Sequence, residues 1–117
     1  MSEAPLVDRA ILDELVDSIG GDGARSVIEL FIEESRGYLA TIAAAAAPKN
    51  AADCEQARRA AHSLKSGAGQ VGAAAMAAAA AAVEQAAAEN AADLAQRVAA
   101  LDRCAADTAA ELGLFLQ

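Results

Sequence analysis

The chain has 117 residues and a formal net charge of −8, which suits one domain with one core and repels nucleic acid on average. Apolar residues make up 56% of it and aromatics only 3%, so the apolar content is mostly alanine, the strongest helix former. Helix-breaking proline occurs only at Pro5 and Pro48, and an all-α protein with closely spaced helices is expected. The N-terminus, MSEAPLVDRA, has no basic region or apolar run of the signal-peptide kind. The longest apolar run, 73–83, is well short of the ~20 residues of a membrane span. A soluble cytoplasmic domain with no membrane contact is expected. Cys54 and Cys104 fall on expected helices and read as small core fillers, because one histidine and two distant cysteines are no zinc pattern.

Five helical segments follow in chain order. The first, about 6–19, carries an apolar stripe of Ile11, Leu12, Leu15, Val16 and Ile19. GGDG at 20–23 stops it, and Asp22 is a suitable N-cap for the next. That second segment extends to about residue 47, with Val27, Ile28, Phe31, Ser35, Tyr38, Leu39 and Ile42 inward and Glu29, Glu33, Glu34 and Arg36 outward. PKN at 48–50 breaks the chain. NAAD then occurs twice, at 50–53 and 90–93, and reads as repeated capping chemistry: Asn as cap, Asp near the helix N-terminus. The third segment holds His62, the only histidine, and ends near Gly72. The fourth, about 73–89, is nearly all alanine around Met76 and Val83, and the fifth, about 91–114, lines up Leu94, Val98, Leu101, Ala105, Thr108 and Leu112. Short connections imply antiparallel neighbours. The expected fold is one domain over 1–117, an antiparallel up-down four-helix bundle with an additional short N-terminal helix.

At about 100° per residue along the third segment, with His62 at zero, Ala57, Ala60, Ala61, Leu64, Ala68 and Val71 gather on the opposite side. His62 therefore belongs to the solvent face. Arg58 falls at about −40°, Lys65 at about −60° and Gly69 at about −20°, while Ser66, Arg59 and Gln70 fall at about +40°, +60° and +80°. Three of the nine Lys and Arg residues of an acidic chain thus surround its one histidine. Glycine costs a helix about 1 kcal/mol relative to alanine. Gly69 shares the histidine's face, where it leaves room for another protein's surface to approach. Gly67, to one side, suits close helix packing, and Gly72 suits a helix terminator.

AHSLKSGAGQVGA, at 61–73, resembles the signature of histidine-containing phosphotransfer (HPt) domains of two-component phosphorelays: His62, Leu64, Lys65, Ser66, Gly67, Ala68, Gly69, Val71 and Gly72. LFIEESRGYLATI before it and AAVEQAA after it resemble the neighbouring helices of that family. Serine at 66 stands where the family often has glycine. The resemblance implies a phosphoryl carrier, phosphorylated on His62, that takes the group from a receiver-domain aspartate and passes it to another, with no kinase activity. Its partners would be receiver domains of a hybrid histidine kinase or a response regulator. It would need no cofactor, the Mg2+ being carried by the receiver, and would act as a monomer.

Neutral imidazole is a nucleophile with an ordinary pKa of about 6.5, and the exposed Nε2 is the expected reactive atom. Lys65, one turn away, is expected to reach the phosphoryl oxygens. Arg58 and Arg59, with Ser66, Gly69 and Gln70, would form the docking surface. What orients the second ring nitrogen is not read from the sequence. The alternative is a helical adaptor of the same fold that docks a partner without transferring phosphate.

Overall fold

The computed structural model describes residues 4–44 and 51–116, and these form four helices and no strand. They are α1 (Arg9–Ala44), α2 (Ala51–Gln70), α3 (Ala74–Glu89) and α4 (Leu94–Phe115). α1 packs against α2 and α4, α2 against α3, and α3 against α4. No helix among the described residues is long and apolar enough to cross a membrane.

α1 joins the first two expected segments. Only Gly20 interrupts it, with φ 81° and ψ 166°, a left-handed backbone that glycine tolerates. Helix resumes at once, so Asp22 is not the N-cap expected of it. It lies inside the second arm and accepts a bond from Arg25 Nη1 at 3.3 Å. The helix also starts later than residue 6, because Asp8 caps it: its Oδ1 accepts from Ala10 N at 3.1 Å. Leu12 is buried, but Ile19, expected on the same stripe, is 47% exposed. On the second arm Ile28, Phe31, Ser35 and Ile42 are buried and the four expected outward residues are exposed. The break at 48–50 and the Asn50 cap lie outside the described residues.

α2 ends in a Schellman turn. The Ala73 amide donates to the Ala68 carbonyl at 2.8 Å and the Gly72 amide to Gly69 at 3.4 Å, with Gly72 at φ 79°. Glycine is required there twice over, since a Cβ would sit 2.8 Å from the Asp8 carbonyl oxygen. The N-terminal segment is tied to this turn, Asp8 N donating to Gly72 O at 2.6 Å and Ala75 N to Pro5 O at 2.8 Å.

The α3–α4 turn corrects the capping assigned to the second NAAD. Asn90 closes α3 in the left-handed conformation, φ 52°, and the Ala91 amide returns to the Ala86 carbonyl at 2.9 Å. Asparagine tolerates that conformation better than most residues. α4 then starts at Leu94 rather than near 91, with Asp93 as its N-cap residue; Asp93 gives its side chain to Arg97 Nε at 2.8 Å. The expected stripe of α4 is buried at all six positions. The cysteines are half-buried rather than core: Cys54 reaches Asn90 Oδ1 at 3.7 Å, and Cys104 lies 3.9 Å from Thr108 Oγ1.

Candidate functional site

The site starts from how α2 is seated. Ala57, Ala60, Ala61, Leu64, Ala68 and Val71 are all buried, as the wheel requires. Burying a leucine such as Leu64 contributes about 1.5–3 kcal/mol. The alanines let α1 and α3 approach α2 closely, and the face opposite them is held outward. His62 sits at its middle with 59% of its side chain exposed.

The two flanks of α2 differ. Positive wheel angles face α1: a Cβ at Gly67 would lie 3.3 Å from Phe31 Cδ1, so this glycine accommodates the Phe31 ring. Negative angles face α3, where Glu84 projects towards α2. Glu84 Oε2 lies 2.8 Å from His62 Nδ1, and Oε1 accepts from Lys65 Nζ at 2.9 Å. One carboxylate thus ties together the histidine and the lysine one turn beyond it. The Lys65 ammonium, and after it the His62 bond, hold Glu84 below its ordinary value of 4.5 against burial, which pushes it up. Glu84 is therefore ionised near neutrality and can only accept hydrogen bonds. Nδ1 must then carry a proton, so in the neutral ring Nε2 is the nitrogen with the lone pair. No group among the described residues bonds Nε2.

Arg58 and Arg59 share a second carboxylate. Glu55 accepts from Arg58 Nε at 2.8 Å and Nη2 at 2.7 Å, and from Arg59 Nε at 3.0 Å. Arg58 first and Arg59 second lower Glu55 from 4.5 to about 2, and Glu55 in turn raises Arg58. Ser66, Gly69 and Gln70 are exposed on the same face. A Cβ at Gly69 would meet nothing within 4 Å, so the space above it is open to another molecule.

The structure brings His62, Lys65, Arg58, Arg59, Ser66, Gly69 and Gln70 onto one surface. Lys65, expected to serve the phosphoryl group, engages Glu84 here. Glu84 itself was missed. Its one sequence signal is isolation, as it is the only charged residue between Lys65 and Glu89.

A histidine held by a carboxylate through one nitrogen and open at the other, mid-helix in an all-helical fold, has the exposed nitrogen that a histidine phosphoryl carrier needs. The Hpt domain family model matches residues 26–112, and the chain belongs to that family, whose role is to carry phosphoryl groups on histidine in phosphorelays. Among solved structures, the chain is similar to histidine-containing phosphotransfer protein B (HptB) from Pseudomonas aeruginosa PAO1. The two share 24% identity over 97% of this chain and 93% of that one, with a TM-score of 0.81. That likeness is one of fold. No curated protein matches the sequence.

Proposed function

We propose that Nε2 of His62 accepts a phosphoryl group from the aspartate of one receiver domain and returns it to the aspartate of another. The observation that carries this is the 2.8 Å contact between Glu84 and Nδ1, which leaves the Nε2 lone pair outward on an exposed ring. In the forward step the lone pair forms the N–P bond as the P–O bond to the aspartyl carboxylate breaks. The carboxylate leaves with its electron pair. The ring becomes positively charged, and the Glu84 carboxylate lies beside that charge. In the return step the proton kept on Nδ1 makes the imidazole the better leaving group.

Phosphoryl transfer is governed by positioning and charge neutralisation more than by covalent help. Lys65, Nζ 2.9 Å from Glu84, is one turn from His62 and serves as a point charge for the phosphoryl oxygens once that group arrives. Arg58, Arg59, Ser66, Gly69 and Gln70 form the receiver-facing surface. Mg2+ belongs to the receiver's acidic pocket. The reading extends to the whole chain: one domain over 1–117, an antiparallel up-down bundle in which the first arm of α1 is the extra N-terminal helix. It works as a cytoplasmic monomer without kinase activity, on the receivers of a hybrid kinase or a response regulator.

The test is incubation with phosphorylated receiver domains. Label should appear on this chain as an acid-labile, base-stable phosphoramidate, and His62→Gln should abolish it while leaving the domain folded. Label persisting in folded His62→Gln refutes the assignment.

A further inference from the structure

Beside His62, on the flank away from Glu84, α1 and α2 enclose an open groove of about 370 Å³ lined by Tyr38, Thr41, Gln56, Arg59, Ala60 and Ser63. Among the described residues no acidic side chain lines it, in a chain of net charge −8. Tyr38, Gln56 and Ser63 have no side-chain hydrogen-bond partner among the described residues, so their polar groups are available to a visitor. Arg59 is 75% exposed, and Glu55 engages only its Nε, at 3.0 Å. Both terminal guanidinium nitrogens are left for a second carboxylate, a geometry that arginine meets well. The far end is bounded by Glu34, which lines the small adjoining pocket with Tyr38 and Ser63. An acidic visitor is thus drawn to the Arg59 end and turned away from the other.

We propose that this groove receives a carboxylate-bearing segment of the receiver domain and fixes on which side of His62 the receiver sits. The inference rests on the phosphoryl-carrier reading and adds a partner chemistry and an orientation to it. Ser63 follows His62 in sequence and Arg59 lies one turn before it, so a segment lodged here is anchored on the histidine's own helix, beside the ring's face. The opposite flank is filled by Glu84 and Lys65, 2.9 Å apart. A carboxylate approaching there meets Glu84.

The test uses the full chain and a phosphorylated receiver that labels the wild type. Arg59→Glu reverses the charge and Thr41→Trp fills the groove from α1; Ser63→Trp fills it from α2 if Thr41→Trp lowers the melting temperature. Arg36→Glu, on the exposed face of α1, makes the same change in net charge away from the groove. Arg59→Glu and the filled variant should each raise the KM for receiver about tenfold, with kcat nearly unchanged. The Arg59→Glu defect should shrink with added salt, and that of the filled variant should not. Phosphoramidate, which needs no docking surface, should label His62 equally in all. If both groove variants match Arg36→Glu while transfer to His62 proceeds, the groove proposal is overturned and the carrier reading stands. If neither receiver nor phosphoramidate labels His62 in the wild type, both fall.

Discussion

Replacing Glu84 by alanine tests the centre of the mechanism. The change removes two contacts to charged or chargeable groups, 2.8 Å to Nδ1 and 2.9 Å to Lys65 Nζ. Hydrogen bonds to charged groups contribute about 1.5–3 kcal/mol when well sheltered. Glu84 keeps 20% of its side chain exposed and Lys65 38%, so screening reduces the lysine arm to about 1 kcal/mol or less. The expected fall in stability is about 1–2 kcal/mol, and the domain stays folded.

The effect on transfer is larger in kind. Without the carboxylate, nothing holds the proton on Nδ1 or the ring in its orientation, and a misplacement of about 1 Å costs on the order of a hundredfold. We expect transfer from the receiver to fall about ten- to hundredfold, shared by labelling with phosphoramidate because the defect is in the nucleophile. Glu84→Gln keeps an acceptor oxygen for Nδ1–H but not the charge beside the ring, and should fall between. Nitrogen chemical shifts of His62 give a readout that a purely structural role would not move: the Nδ1–H tautomer should dominate in the wild type and lose ground in Glu84→Ala. Because the folded Glu84 titrates below its ordinary 4.5, its stabilisation is complete above about pH 4.5 and is lost as pH falls through the folded value. The melting-temperature gap between wild type and Glu84→Ala should therefore close as pH falls below about 4.5. Wild-type transfer rates and an unchanged tautomer in Glu84→Ala would refute the argument.

Two glycines give opposed expectations. Gly69→Leu adds a side chain where nothing lies within 4 Å, so stability should hold or rise by up to about 1 kcal/mol. Receiver-dependent transfer should fall at least tenfold in that variant while phosphoramidate labelling persists; unchanged receiver transfer would remove clearance as the reason for the glycine. Gly72→Ala places a Cβ 2.8 Å from the Asp8 carbonyl at a φ of 79°, and should lose about 1–3 kcal/mol in denaturant unfolding, with Gly69→Ala as the harmless comparison.

The helices of this protein were legible because their faces are set by residues three and four apart. The core sides of α2 and α4 follow from periodicity alone, since alanine and leucine at those positions have one place to go. Turn chemistry was legible only where one conformation is compulsory. Gly72 had to be left-handed, but Asn90 could cap forward or close backward, and the path of the chain decided for closing α3. Asp22 was misread for a similar reason: Gly20 does end the first arm of α1, but the second arm resumes at once, so the helix has already started by residue 22.

The site was half legible for a different reason. His62, Lys65 and both arginines share one helix, so their angles follow from the sequence. Glu84 is 22 residues from His62, on another helix, and its reach depends on how α3 is placed against α2. Periodicity within one helix carries no information about that placement. Its isolation carries some: a lone charge in an alanine-rich helix costs burial unless a partner waits across the interface. His62 and Lys65, three residues apart on the facing flank, are such a pair. The same carboxylate also gives α2 and α3 a polar reason to keep one alignment, which alanine packing enforces weakly because one alanine fits a neighbour's place as well as another. In this chain the group that sets the tautomer also fixes the alignment that brings it to the histidine.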